Sequence, residues 1–165
     1  MIQPGTAIGF EHIEMVFHGR MASLESSTAT GVMPRVLKLA SVTDPRGTLV
    51  AADAGEGLPF PAVRCFHVRD VPPGAVRARH AQRRNEELIS CPVGACTVEL
   101  WWHSGHAVHR LADPETALHI PPWVWVECRD FSEDAVLLVL CSRAHDPEDH
   151  ITDFSEFEAG PTDRL

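Results

Sequence analysis

The chain contains no tyrosine, and of its 14 cationic side chains all but Lys38 are arginines. No phenol is on hand as a proton donor, and nearly every strong anion contact would fall to a planar guanidinium, which suits bidentate binding of phosphate or carboxylate. Cysteines 65, 91, 96, 128 and 141 are odd in number and form no Cys-x-x-Cys pair. That excludes a disulfide framework and a zinc knuckle and fits a reducing cytoplasm. Most of them sit within apolar runs, where a free cysteine packs as a small hydrophobe. No apolar run approaches the roughly 20 residues of a spanning helix, and no basic start leads into an unbroken apolar stretch, so a cytoplasmic chain without a membrane partner is expected. Cations are also in the minority. The 14 of them face 23 acidic side chains, a net charge of −9, which excludes a general nucleic-acid binder because phosphate contacts need clustered positive charge.

What is present suits one packed domain: 165 residues, 44% hydrophobic and 22% charged, near the average for globular chains. Residues 1–34 show weak periodicity and the small polar stretch Ser26-Ser27-Thr28-Ala29-Thr30, and are read as an irregular N-terminal extension. From Arg35 the pattern changes to short apolar runs: Val36 to Val42, Thr48 to Ala52, Ala62 to Val68, Glu87 to Cys91, Cys96 to His103, His106 to Leu111, Ala117 to Ile120, Val124 to Cys128 and Ala135 to Ser142. Gly/Pro turns such as Asp44-Pro45-Arg46-Gly47 and Pro92-Val93-Gly94 separate them. Many short strands at regular spacing predict an all-β sandwich or barrel over residues 35–158, leaving 159–165 as a tail.

The clearest hairpin runs from Thr97 to His109, turned by Ser104-Gly105. It places His103 and His106 beside the turn as a cross-strand pair and His109 farther down the second strand, so that all three are read as structural or solvent-facing, not as a metal cluster. Charge is unevenly spread. Arg64, Arg69, Arg77, Arg79, Arg83 and Arg84 fall close together, which leaves room for a local anion site on an acidic protein, whereas Asp146 to Asp163 is strongly acidic.

The stretch Gly74 to Glu87, followed by Gly94, resembles the first motif of the cupin superfamily: a glycine, His-x-His, a glutamate and a second glycine. Gln82 stands in place of the second histidine. Pro121-Pro122-Trp123-Val124-Trp125 resembles the turn of the second cupin motif, without its histidine. The resemblance implies a single cupin-type jelly-roll β-barrel. Only His80 and Glu87 remain of the residues that bind metal in metallocupins, and two groups rarely hold a cation, so neither metal nor other cofactor is expected.

The flanks narrow the resemblance. Asp44-Pro45-Arg46-Gly47-Thr48-Leu49, Arg64-Cys65-Phe66-His67, Arg77-Ala78-Arg79-His80-Ala81-Gln82 and Asp146-Pro147-Glu148-Asp149-His150-Ile151 occur in the order seen in metal-free sugar-nucleotide 3,4-ketoisomerases, which the chain resembles from Arg35 to Phe157. What this implies is a homodimeric isomerase of a dTDP-linked 4-oxo-6-deoxyhexose. His80 removes the C3 proton and returns it at C4 through an enediol, Arg77 neutralises the enediolate, and His67 stands in as a proton donor. Arg64 or Arg79 meets the diphosphate, Gln82 touches substrate and Trp125 stacks on sugar or base. The chain departs from the family's Arg-Gly-x-His-Ala-His at Ala78 and Gln82. It also has Phe66, His67, His145 and His150 at or near places where the family has tyrosine. These losses keep open a second function, that of a non-catalytic cupin module binding a sugar nucleotide or related anion.

Overall fold

The computed structural model describes residues 33–53 and 57–161; the extension expected at 1–34 lies outside them as far as residue 32, and the tail from residue 162. Their order is β1 (Arg35–Lys38), β2 (Ala40–Asp44), β3 (Gly47–Ala51), β4 (Arg64–Val68), β5 (Arg77–Gln82), β6 (Glu87–Val93), β7 (Cys96–Trp102), β8 (Gly105–Leu111), β9 (Thr116–Ile120), β10 (Trp125–Arg129), β11 (Val136–Cys141), β12 (His150–Ile151) and the helix α1 (Phe154–Ala159). Two five-stranded sheets result, β1-β9-β6-β11-β4 and β12-β5-β10-β7-β8, with β2 and β3 as a separate hairpin. The architecture is the expected all-β jelly roll, although neither sheet closes on itself. Among the described residues no helix is long and apolar enough to cross a membrane.

Alternation builds the core. In β11, Leu137, Val139 and Cys141 are buried while their neighbours are half-exposed, and in β7 Cys96, Val98 and Leu100 do the same from the facing sheet. These residues join Ile89, Leu118, Val126 and Cys128 in one cluster between the sheets, which gives the fold most of its apolar burial. The strand β6 is different, because Glu87 to Cys91 are buried on both faces. Its outer face is covered by a second cluster of Leu39, Leu58, Phe60, Leu88 and Ala117. A third cluster, outside the other sheet, packs Ala81, Trp125, Ile151 and Phe157 together.

Two expectations are corrected. The run Val36 to Val42 is two strands, not one, since the Leu39 N–H is bonded to the Glu115 carbonyl at 2.7 Å and the chain then leaves the sheet for the β2–β3 hairpin. The hairpin turn is His103-Ser104, one residue earlier than expected: Trp102 pairs with Gly105, and His106 lies opposite Trp101, not His103. Four of the five cysteines are buried, in line with the expectation for most of them, and Cys65 is exposed on the outer side of β4.

Candidate active site

The strand β5 carries four of the candidate residues, Arg77, Arg79, His80 and Gln82, and a bulge directs them. Ala78 and Arg79 are both left-handed, with φ of 66° and 58°, a conformation that costs a non-glycine residue roughly 1–2 kcal/mol. The extra residue shifts the register against β10, where Val126 pairs with His80, Glu127 with Ala78 and Cys128 with Arg77. As a result Arg77, Ala78 and His80 line one cavity, while Arg79 turns outward to Glu127, Nε to Oε1 at 3.5 Å. Ala81 packs into the outer aromatic cluster.

The cavity measures about 390 Å³ and opens between the sheets. Phe66, Ile89, Leu137 and Val139 make its apolar wall, and Arg77, His80, Glu87, His150 and Thr152 supply the polar groups. Ion pairs bring His150 there: Arg84 holds Asp149 at 3.1 Å and Asp146 at 2.7 Å, and Asp149 also accepts from the Asn85 N–H at 3.0 Å. The following residue, His150, then pairs with Gln82 as β12 meets β5.

Gln82 sits at the centre of this arrangement. Its Nε2 donates to Glu87 Oε1 at 3.1 Å and lies 3.4 Å from both His80 Nε2 and His150 Nε2. The His150 Nδ1–H donates to the Asp146 carbonyl at 3.0 Å, so in the neutral ring its Nε2 carries the lone pair. The His80 and His150 rings are 4.9 Å apart, and His145 follows at 5.4 Å from His150. Arg64 closes the row, with Nη1 3.5 Å from His145 Nδ1 and its guanidinium 4.5 Å above the Phe66 ring.

Burial shifts two ionisable groups of the cavity in opposite senses. It pushes the His80 imidazolium below its ordinary range; a backbone hydrogen bond to Ala78 works the other way and His150 adds to the fall. Burial raises the Glu87 carboxyl to about 7, against the smaller pull of the Gln82 hydrogen bond and the Arg64 charge. Among the described residues no group of three His, Cys, Asp or Glu side chains is arranged to hold a metal ion.

The structure separates the residues singled out from the sequence. His80, Arg77 and Gln82 come together, and Arg64 reaches them through His145 and Phe66. His67 does not line that cavity, because Phe66 and Val68 take the inward positions of β4; it lies in a separate outer pocket that Arg77 also lines. Trp125 is likewise on the far side of its sheet, 3% exposed and edge-on to Phe154 at 5.0 Å. Glu87 and His150 were not among the candidates. Glu87 had a signal, its place in the cupin motif; His150 had only its place near an expected tyrosine, since its ion-paired anchor is a tertiary feature.

The sequence model of the FdtA family, described as WxcM-like, C-terminal, matches residues 33–160. A TDP-4-oxo-6-deoxy-α-D-glucose 3,4-oxoisomerase of Aneurinibacillus thermoaerophilus is 31% identical over 126 residues, which is 75% of this chain and 89% of that one. Among solved structures, QdtA, a sugar 3,4-ketoisomerase from Thermoanaerobacterium thermosaccharolyticum in complex with TDP, superposes with a TM-score of 0.74 at 27% identity, covering 76% of this chain and 92% of QdtA. A 3,4-ketoisomerase from Helicobacter canadensis gives 0.73 at 29%, covering 76% and 95%. By the match over residues 33–160, the chain belongs to the FdtA, WxcM-like family.

Proposed function

We propose that this protein is an isomerase of a dTDP-linked 4-oxo-6-deoxyhexose, moving the keto group from C4 to C3. The observation that carries the reading is His80: an imidazole held towards its neutral form by burial, on the wall of a cavity of about 390 Å³ that Arg77 also lines, in a chain whose relatives are TDP-sugar 3,4-ketoisomerases. A base with a pKa near working pH is what abstraction of a proton next to a carbonyl asks for. The His80 Nε2 lone pair takes the C3 proton, the C3–C4 double bond of an enediol forms, and the imidazolium returns the proton to C4. Arg77 supplies positive charge where the oxyanion develops. Arg64, at the end of the histidine row, is available to the diphosphate.

Gln82 favours a second reading, a module that binds the sugar nucleotide without converting it, because an amide does not carry protons near neutral pH. Incubation with a dTDP-4-oxo-6-deoxyhexose in deuterated water, followed by proton NMR, separates the two. Deuterium at C3 or C4 together with the 3-oxo product is expected; a tight complex with no exchange over hours would leave only binding. A homodimer is part of the same proposal. Val36, Val42, Leu49 and Val63 are each more than half exposed, and pairing with a second copy would take such side chains out of water. Light scattering should give about twice 18.2 kDa.

A further inference from the structure

A keto shift between neighbouring carbons needs two proton movements. One carries the proton of C3 to C4. The other carries the hydroxyl proton of O3 to O4, because the C4 carbonyl becomes an alcohol as the C3 alcohol becomes a carbonyl. No external oxidant is required, since C3 is oxidised by the two electrons that reduce C4. A single imidazole can serve both carbons, which are adjacent. The oxygens need a second carrier, and neither Gln82 nor any tyrosine can be it.

We propose that Glu87 is that carrier: its carboxyl gives a proton from Oε2 to O4 as the enediol forms and takes the proton of O3 as the enediol collapses, with Gln82 as the positioning residue. This assignment rests on the isomerase reading above. Glu87 is 6% exposed and lines the same cavity as His80 and Arg77. Both of its protein donors converge on one oxygen: Gln82 Nε2 at 3.1 Å and Asn85 Nδ2 at 3.5 Å reach Oε1. No described residue bonds to Oε2, and among the described residues the buried side-chain N or O atom that is sealed off without a partner is Trp102 Nε1, not Oε2. An oxygen that accepts from two amides leaves the proton to the other, so the acid form presents Oε2–H to the cavity. His150 cannot compete for the role in its neutral form, since its one N–H is spent on the Asp146 carbonyl.

The charged and titratable groups around Glu87 are Arg64 from β4, His80 and Arg77 from β5, Cys128 from β10, Cys141 from β11, His150 from β12 and Asp149 before it. None forms an ion pair with Glu87 among the described residues, and burial holds a large share of the carboxyl in the acid form at neutral pH. With the imidazolium of His80 driven down, the working state has a neutral base and a protonated acid, the division of labour that opposite environments produce in carboxylate and imidazole sites.

The test compares wild type, Glu87→Gln and Glu87→Asp on a dTDP-4-oxo-6-deoxyhexose, with TDP binding measured alongside. Glu87→Gln keeps the shape and removes the transferable proton. It should lower kcat by roughly 10² to 10⁴-fold, the usual worth of a positioned acid–base group, with the Kd for TDP within about threefold. The kcat/KM profile of the wild type should fall as pH rises through about 7, and Glu87→Gln should lose that limb while keeping the one below 6.5 that His80 sets. Isomerisation within threefold of wild type, or an intact high-pH limb, would overturn the assignment. If Glu87→Gln does not bind TDP, Glu87→Asp decides: a displaced high-pH limb supports the role and an unmoved limb overturns it. A wild-type protein that binds TDP-sugar without exchange or turnover refutes the isomerase reading itself, and Glu87 with it.

Discussion

Two motif glycines share a backbone conformation but not a neighbourhood, and replacing each by alanine separates conformational strain from crowding. Gly74 has φ +78° and Gly94 φ +68°. Alanine in that region costs roughly 1–2 kcal/mol, offset by about 0.4–1 kcal/mol for the freedom that the unfolded glycine loses. At Gly74 nothing lies within 4 Å of an added Cβ, so the net cost is about 1 kcal/mol or less. At Gly94 the Cβ would lie 2.7 Å from Asp134 Oδ1 and 2.8 Å from Ala135 Cα, and would press on Ser132 Oγ. Ala135 is 4% exposed, at the edge of the core. Ser132 accepts from the Ala95 N–H at 2.9 Å and donates to Asp134 at 2.8 Å, so both bonds must be given up or bent. Overpacking adds about 1–3 kcal/mol and the damaged hydrogen bonds about 1–2 more, for a total of roughly 3–5 kcal/mol. Urea unfolding followed by fluorescence of the four tryptophans reads this directly. In heating scans Gly94→Ala should lower Tm by about 10 °C and Gly74→Ala by a few degrees at most. Equal losses at the two sites would refute the crowding argument and leave backbone strain as the whole effect.

His80→Ala should abolish both deuterium exchange and isomerisation while leaving TDP affinity within about tenfold, roughly 1.4 kcal/mol; unchanged turnover removes His80 from the mechanism. Arg77→Ala should slow the reaction by about 10² to 10³ if its charge meets the developing oxyanion, and a rate within twofold of wild type would put the guanidinium elsewhere. The Glu87 carboxyl also makes stability depend on pH. Its folded pKa of about 7 lies above the ordinary 4.5, so the folded state holds the proton more tightly. That advantage is complete below about pH 4.5 and is lost as pH rises through 7. The stability of Glu87→Gln minus that of wild type should therefore rise by up to about 3 kcal/mol between pH 4 and pH 8, as denaturant midpoints at the two pH values would show; a difference that does not change with pH would mean Glu87 ionises freely.

Most strands could be read from the chain because period-two burial survives in β7, β8 and β11, where each residue's face follows from its neighbour's. The positions that escaped reading are those where this rule breaks or is silent. Alternation cannot say which of two faces is the inner one, so His67 and Trp125 each held a plausible place until Phe66 and Val126 took the interior. In β5 the left-handed pair at Ala78 and Arg79 resets the alternation, which is why Arg77 and His80 share a cavity although three residues apart, and why Arg79 does not join them. His150 reaches the cavity through Arg84 and Asp149, side chains 65 residues apart, a link that no local pattern encodes. The replacement at Gln82 takes on a different meaning in that setting. Read along the chain, it removes an imidazole from a catalytic pair. Within the fold, the amide spends its N–H on Glu87 Oε1 and leaves Oε2 to the cavity, so the residue that costs the site one proton carrier is also the one that orients another.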